Sequence, residues 1–117
     1  MKMNNKLMIG VLGAGTMGNG IAHVFALHKY LVILVDINKT ILNESLKTIG
    51  SNLKRQFKKN VITEQDINDT MNNICTSDNI KDFNKCDIVI EAIKEDLEIK
   101  SKVFKALDSI CKPNTIL

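Results

Sequence analysis

Residues 7–36 constrain the fold of this chain more than any other stretch. They begin with an apolar run over 7–12, which is interrupted only by Gly10 and is too short to span a membrane. A glycine-rich turn follows, and after it come a stretch with helical spacing and a second apolar run over 31–35. Short apolar runs of this kind are typical of strands buried in a parallel sheet. The order predicts a strand, a turn, a helix and a second strand, which together form a βαβ unit.

The turn has the spacing G-x-G-x-x-G. In this pattern the first glycine permits a tight turn, the second lets the backbone approach a pyrophosphate, and the third lets the following helix pack closely on the strand. The candidate pyrophosphate-binding residues are therefore Gly13, Ala14, Gly15, Thr16, Met17 and Gly18. We predict that the helix runs over 16–29, with its positive end facing the phosphates. One side of it is expected to carry the residues that recur at helical spacing, namely Met17, Ile21, Val24, Phe25 and His28.

Asp36 ends the second apolar run, 18 residues after Gly18. A carboxylate at this place can accept both hydroxyls of an adenosine ribose and would repel a 2′-phosphate, so it favours NAD over NADP. The alternative is a βαβ unit that needs glycine only for a tight turn, but such a unit does not require the acid. The sequence therefore predicts a dinucleotide site with NAD as the cofactor.

Composition limits the class of protein. With 117 residues the chain is long enough for one compact domain and short for a doubly wound domain of six strands. The net charge of +3 comes without a long basic run, so we expect no nucleic-acid partner. No stretch reaches the ~20 apolar residues of a membrane span, and no signal-peptide cleavage pattern is present. The cysteines lack paired spacing and suit a reducing cytoplasm; they are Cys75, Cys86 and Cys111.

A second helix is predicted after Asn38, which is placed to cap it. Its apolar positions are Leu42, Leu46, Ile49, Leu53 and Phe57. Near the end of this helix lies a basic cluster formed by Lys54, Arg55, Lys58 and Lys59. The cluster either meets an anionic ligand, such as a phosphorylated pantetheine carrier, or is simply a solvated helix end.

The rest of the chain continues the alternation of helices and strands. Thr63 is placed to cap a helix over 64–72. After it we predict a short strand over 74–76, a polar stretch anchored by Ile80 and Phe83, and a buried strand over 87–93. A further helix is predicted over 97–111 and the start of another strand over 115–117. The pattern predicts an α/β fold of Rossmann type. It would be a parallel sheet with helices on both faces, truncated before its last strands, with its site at the carboxyl ends of the strands.

The chain resembles the NAD-binding domain of the 3-hydroxyacyl-CoA dehydrogenases, most closely those of the bacterial 3-hydroxybutyryl-CoA branch. The resemblance covers essentially the whole chain, and it rests on residues 13–22, the strand ending in Asp36, the stretch 87–100 and the stretch 107–117. Many dinucleotide-binding families share the first of these, and the last two narrow the choice. The resemblance implies one NAD-binding domain over 1–117 that is incomplete at its C-terminal end, without the helical second domain for substrate and dimerisation.

The resemblance also implies roles for individual residues. The turn 13–18 would hold the pyrophosphate of NAD, and Asp36 would hold its adenosine ribose. Glu95 and Lys100 match positions that contact the nicotinamide side of NAD in the family. Lys59 matches a position that contacts the CoA part of the substrate, and Asn52 stands where some relatives have a CoA-contacting serine.

The reaction implied by the family is the reversible oxidation of a 3-hydroxyacyl-CoA to a 3-oxoacyl-CoA in fatty-acid or butyrate metabolism, with hydride passing to NAD. In the family a histidine and a glutamate downstream of residue 117 transfer the proton, so this chain is expected to bind nucleotide without turnover. His23 and His28 are expected to be surface or packing residues. The whole protein is expected to be a cytoplasmic homodimer or larger homo-oligomer that acts on an acyl-CoA and has no membrane partner.

Three alternatives remain open at the level of sequence. Dehydrogenases of the 3-hydroxyisobutyrate and 6-phosphogluconate type have a similar glycine motif, but the stretch 95–100 argues against them. A methyltransferase could hold S-adenosylmethionine with a glycine loop and an acid after the second strand, although the complete glycine spacing disfavours it. The third alternative is a protein that binds nucleotide and has no chemistry of its own.

Overall fold

Strands and helices alternate along the part of the chain that the computed structural model describes, residues 7–92. In chain order they are β1 (Met8–Leu12), α1 (Thr16–Leu27), β2 (Leu31–Val35), α2 (Lys39–Lys58), α3 (Glu64–Asn72), β3 (Ile74–Ser77), a 3₁₀ helix (Ile80–Lys85) and β4 (Ile88–Glu91). The predicted helix over 97–111, the predicted strand over 115–117 and the candidate site residues Glu95 and Lys100 lie outside the described residues.

The four strands of residues 7–92 form one parallel sheet in the order β3-β2-β1-β4. Val11 on β1 pairs with Leu34 on β2 and with Ile90 on β4, so β1 lies between two neighbours. Parallel neighbours must be joined by crossovers, and helices form two of these crossovers here: α1 joins β1 to β2, and α2 with α3 joins β2 to β3. The α/β fold predicted from the sequence is confirmed, and the carboxyl ends of β1 and β2 meet at one edge.

The two faces of the sheet bury different sets of side chains, because successive residues of a strand point to opposite faces. Ile9 and Val11 of β1 belong to the cluster that packs against the helices, together with buried residues of α1 and α2. Leu12 belongs to a second cluster on the other face, where the 3₁₀ helix contributes Phe83. Phe83 is the largest fully buried side chain among the described residues, in a core that is otherwise mainly aliphatic.

Most predicted boundaries agree with the structure to within two residues. The predicted helix over 16–29 ends at Leu27, and Lys29 follows in the left-handed region, with φ 74°. The predicted strand over 87–93 is shorter, at Ile88–Glu91, although the backbone N–H of Ala92 still donates to the carbonyl of Leu12 at 2.8 Å. The helix predicted over 64–72 is confirmed with the same bounds.

The buried side of α1 agrees only in part with the side predicted for it, since Ile21 and Phe25 pack against the core, whereas His28 is exposed. Met17 and Val24 are 57% and 53% exposed, whereas the buried residues are Gly18, Asn19, Ala22, His23 and Ala26. Small residues on this side let the helix lie close to the sheet. The two polar members are tied to α2, since Asn19 Nδ2 donates to the carbonyl of Ser45 at 3.4 Å and His23 Nε2 lies 3.1 Å from Gln56 Oε1. These bonds offset the cost of burying polar groups.

The caps of α2 and α3 are as predicted. The Asn38 side chain accepts from the backbone N–H of Ile41 at 3.1 Å. Thr63 and Asp66 form a reciprocal capping box at the start of α3. Phe57 was predicted on the apolar side of α2 but is 42% exposed in the last turn of that helix.

Candidate functional site

The turn between β1 and α1 lies at the carboxyl edge of the sheet, directly after Leu12. Gly13 has φ 102°, a conformation that favours glycine, and its N–H donates to the carbonyl of Val35 at 2.7 Å. The first glycine of the motif therefore makes the tight turn and fastens it to β2.

The other two glycines have opposite surroundings. A Cβ built on Gly18 would lie 1.6 Å from the carbonyl oxygen of Gly13, so only glycine allows the first turn of α1 to pack against the preceding loop. A Cβ built on Gly15 would meet nothing within 4 Å. Packing inside the described part of the chain thus explains Gly18 but gives no reason for glycine at Gly15, where the space above the backbone is open.

The N-terminus of α1 lacks the side-chain cap that α2 and α3 have. Its N-cap residue is Gly15, which has no side chain to accept from the first-turn amide groups, and the first turn contains no acidic residue. The first N–H groups of a helix have no partner within the helix and carry its partial positive charge. This terminus is consequently suited to an anion such as a phosphate.

Asp36 lies beside this turn and is half-buried. Its Oδ2 accepts from the backbone N–H of Ala14 at 2.9 Å, and its Oδ1 accepts from the backbone N–H of Asn38, also at 2.9 Å. The backbone N–H of Asp36 donates to the carbonyl of Ser77 at 3.1 Å. The structure therefore brings the predicted ribose acceptor and the predicted phosphate loop into direct contact.

A cleft of about 410 Å³ opens between the start of α1 and the side of α2. Gly15, Thr16 and Gly20 line it from α1, and Ser45 and Asn52 line it from α2. Asn52 therefore shares one cleft with the glycine turn. Its Oδ1 accepts from Arg55 Nη2 at 2.8 Å, which leaves the side-chain amide N–H groups of Asn52 outside that bond. The sequence motif alone did not indicate this cleft, because its α2 side has no recognisable pattern.

Lys59 is not part of this cleft lining. It follows the last turn of α2 as its C-cap and is exposed, as are the other three members of the basic cluster. Asn52 and Lys59 lie seven positions apart, and seven residues make about two helical turns, so both lie on about the same side of α2. The structure thus places one predicted substrate residue in the cleft and the other about 10 Å further along the helix.

The two histidines of α1 are placed as predicted. His23 is buried and hydrogen-bonded to Gln56, and His28 is exposed just after the last turn of α1. Within residues 7–92 no group of three His, Cys, Asp or Glu side chains is arranged to hold a metal ion. No helix of the described part is both long and apolar enough to cross a membrane.

Comparisons with known proteins agree with the geometry of this edge. A model of the 3-hydroxyacyl-CoA dehydrogenase NAD-binding domain family matches residues 8–117. The chain is 41% identical to a 3-hydroxybutyryl-CoA dehydrogenase from Bradyrhizobium diazoefficiens, over 93% of this chain and 37% of that protein. It is 39% identical to a probable 3-hydroxybutyryl-CoA dehydrogenase from Bacillus subtilis, over 93% of this chain and 38% of that protein.

A solved structure of a related enzyme has the same fold over this chain. The (S)-3-hydroxybutyryl-CoA dehydrogenase from Ralstonia eutropha superposes with a TM-score of 0.91 at 38% identity, over 96% of this chain and 40% of that chain. This chain therefore spans less than half the length of these relatives. The matches support the interpretation as the NAD-binding domain of a 3-hydroxyacyl-CoA dehydrogenase over the hydroxyisobutyrate-type dehydrogenase and the methyltransferase.

Proposed function

Because this chain belongs to the 3-hydroxyacyl-CoA dehydrogenase NAD-binding domain family, we propose that it is the NAD-binding part of an oxidoreductase that interconverts 3-hydroxyacyl-CoA and 3-oxoacyl-CoA. 3-Hydroxybutyryl-CoA is the proposed substrate, since the relatives named above carry that activity in their names. NAD supplies the hydride acceptor when it is bound. The contribution of this chain to the chemistry is to bind and orient the cofactor.

The observation that carries the proposal is the arrangement at the edge of β1 and β2. The uncapped N-terminus of α1 can accept a pyrophosphate, and Gly15 leaves the space that a phosphate needs to approach the backbone. Asp36 lies next to this turn and offers carboxylate oxygens to a ribose. We assign the pyrophosphate to residues 13–18, the adenosine ribose to Asp36, and the nicotinamide side of NAD to Glu95 and Lys100.

The cleft between α1 and α2 is the proposed place of the CoA part of the substrate. It runs from the glycine turn to Asn52, and the basic cluster with Lys59 continues along the same helix. CoA carries phosphate groups at one end and a polar, uncharged arm at the other, so a basic helix end that leads into a polar cleft is complementary to it. We assign Asn52 and Lys59 to CoA contacts.

Three further assignments concern the whole protein. We propose that residues 1–117 form its NAD-binding domain, that it assembles as a homodimer or a larger homo-oligomer, and that it works in the cytoplasm. A reducing compartment fits the exposed Cys75 thiol.

Calorimetric titration of this chain with NADH and with NADPH tests the cofactor assignment; calorimetry suits the protein because it has no tryptophan to report binding. NADH is expected to bind, and NADPH is expected to bind at least tenfold more weakly, since its 2′-phosphate would meet the Asp36 carboxylate (roughly 1.4 kcal/mol). Equal affinities, or no binding by a chain that circular dichroism shows to be folded, would contradict the proposal.

Two glycine variants sharpen the titration. Gly15→Ala is expected to lose at most about 1 kcal/mol of stability, because alanine is a poorer N-cap than glycine but the added Cβ meets nothing within 4 Å. It is expected to lose NADH affinity, because the Cβ stands where a phosphate must approach. Gly50→Ala on α2 is the matched control, since its Cβ also meets nothing within 4 Å and it lies outside the proposed site. NADH affinity should be unchanged in the control.

A further inference from the structure

Both oxygens of the Asp36 carboxylate are bound by backbone N–H groups from two different loops. Oδ2 accepts from Ala14, in the glycine turn between β1 and α1, and Oδ1 accepts from Asn38, at the start of α2. Each distance is 2.9 Å. One side chain therefore joins the two loops that form the carboxyl edge of the sheet, in addition to its proposed contact with a ribose.

The glycine turn is held at two consecutive amide groups. The N–H of Gly13 donates to the carbonyl of Val35, a bond between backbone atoms in which the Asp36 side chain takes no part. The N–H of Ala14, in a residue that is 3% exposed, donates to the Asp36 carboxylate. A buried N–H without a partner is unfavourable, so loss of the carboxylate would lead the turn to rearrange. The amide groups that follow, from Gly15 onward, would move with it.

The carboxylate can perform both tasks at once. Two carboxylate oxygens offer about four acceptor positions, and the bonds from Ala14 and Asn38 use two of them. The remaining positions can accept ribose hydroxyls without release of either loop. Hydrogen bonds to an ionised acceptor are stronger than those between neutral groups, which favours a carboxylate over an amide for this purpose.

We propose that Asp36 is a positioning residue for the pyrophosphate-binding turn as well as the acceptor for the ribose. The inference rests on the proposed NAD-binding function. It means that Asp36 contributes to phosphate binding through Ala14, without touching the phosphates. The contribution is separable from ribose recognition, because it persists for a dinucleotide whose adenosine ribose has no hydroxyls to offer.

A thermodynamic cycle with one protein variant and one ligand analogue separates the two roles of Asp36. Asp36→Ala and the unaltered chain are titrated with NAD and with an NAD analogue whose adenosine ribose lacks both the 2′- and 3′-hydroxyls. If Asp36 positions the turn, Asp36→Ala binds the analogue roughly tenfold more weakly than the unaltered chain, the effect of one lost charge-assisted hydrogen bond. Equal binding of the analogue by both proteins would overturn the proposal.

The negative charge of Asp36 affects phosphate binding in the opposite direction to its hydrogen bond with Ala14. A loss of affinity in Asp36→Ala would therefore be due to the lost hydrogen bond and not to the lost charge. Removal of a carboxylate near an anionic pyrophosphate should strengthen binding by electrostatics alone. Asp78→Ala is the control for loss of a carboxylate elsewhere along this edge of the sheet, since Asp78 follows β3 and its ion pair among the described residues is an exposed contact with Lys39 at 3.5 Å. The analogue should bind to Asp78→Ala as well as to the unaltered chain, or slightly better.

Amide hydrogen exchange without any ligand provides a test that does not depend on NAD binding. Exchange of the Ala14 N–H is expected to be faster in Asp36→Ala than in the unaltered chain and in Asp78→Ala, with an intermediate rate in Asp36→Asn, which keeps one oxygen acceptor. An unchanged Ala14 rate in both Asp36 variants would refute the positioning role. If the unaltered chain fails to bind NAD while Ala14 exchange responds to Asp36, the proposed function fails and the positioning of the turn stands.

Discussion

Two regions of the molecule are organised by different forces. One is the edge of the sheet formed by residues 13–18 and Asp36, and the other is the segment 54–72, which includes the end of α2 and all of α3. At the edge of the sheet, backbone conformation and backbone contacts restrict the residue types: Gly13 has φ 102°, and a Cβ on Gly18 would lie 1.6 Å from a carbonyl oxygen. In the segment 54–72 the basic cluster is exposed, and Val61 is 65% exposed. The first region tolerates few residue types at given positions, whereas the second exposes most of its side chains and packs Ile67 and Met71 against the core.

This difference explains why the two halves of the proposed site are not equally well determined. Steric constraints on a backbone leave a spaced glycine pattern in the sequence, which can be recognised without any relative. Exposed charges leave no such pattern, because a lysine on a solvated helix end has the same appearance whether or not it binds a ligand. The interpretation as a dinucleotide site therefore has support from the geometry of the chain as well as from the family, while the proposal of CoA depends on the family.

The largest effect is expected for Gly18→Ala. The added Cβ would meet a backbone carbonyl of Gly13, which cannot move away without disrupting the turn. The free energy of unfolding should fall by at least about 3 kcal/mol, the upper part of the range for overpacking. Urea unfolding followed by circular dichroism measures this. Gly20→Ala on the same helix is the control: its Cβ meets nothing within 4 Å, and it should gain up to about 1 kcal/mol from helix propensity.

A smaller effect is expected for Gly10→Ala in β1, where the neighbour is a side chain. The new Cβ would lie 2.6 Å and 2.7 Å from ring carbons of Phe83, which can tilt or shift. The expected loss is about 1–3 kcal/mol, less than for Gly18→Ala. Adding Phe83→Leu should cost less in the Gly10→Ala background than in the unaltered chain, because the smaller side chain relieves the contact. Strictly additive losses would show that the two residues do not interact.

Sequence reasoning predicted the strands well and one helix face poorly. The apolar run over 31–35 coincides with β2, because a strand buried on both faces has almost no choice of residue type. On α1 the helical spacing of large residues indicated Met17 and Val24, yet both are exposed. Close packing of a helix on a sheet selects small residues, and a pattern based on hydrophobic bulk gives Gly18 and Ala22 too little weight.

The contact between Asp36 and Ala14 also lay beyond sequence reasoning. The motif identifies a carboxylate at the end of the second strand, but it does not say that the carboxylate accepts from the glycine turn at 2.9 Å. That contact depends on how β1 and β2 align, with Leu12 opposite Val35. Register between strands is set by packing over the whole sheet, so a single motif does not contain it.

In the exposed region, Lys59→Gln tests whether the basic cluster binds CoA. Titration of this chain with CoA at low salt should show an affinity lower by up to about fivefold, the contribution of about 1 kcal/mol that an exposed ion pair can make. The difference should shrink at physiological salt, because exposed charges are screened. Lys47→Gln, an exposed lysine in the middle of α2, is the control. Equal losses of CoA affinity in both variants would mean that CoA binding depends only on the overall charge of the helix.

The smallest effect concerns Asp66, and it reveals how the second region is held together. The backbone N–H of Thr63 donates to this carboxylate at 2.9 Å, and this bond, assisted by the Thr63 side chain and by the charge of Lys29, holds the pKa of Asp66 below its ordinary value of 3.8. A carboxyl whose pKa is lower in the folded state stabilises the fold above its unfolded-state pKa, and it loses that contribution as the pH falls through the folded-state pKa.

Asp66→Asn should therefore unfold at a lower urea concentration than the unaltered chain at about pH 7, and the gap should narrow at a pH below the ordinary pKa of 3.8, as Asp66 takes up its proton in the unaltered chain as well. Glu64→Gln, which removes a carboxylate from the same first turn of α3, is the control for the helix dipole. A gap that stays constant between the two pH values would mean that the charge of Asp66 is irrelevant. The cost of Gly18→Ala, by contrast, should not depend on pH, because a clash between a Cβ and a carbonyl involves no proton. The pH dependence of these two variants distinguishes an electrostatic contribution at the cap of α3 from a steric constraint in the glycine turn.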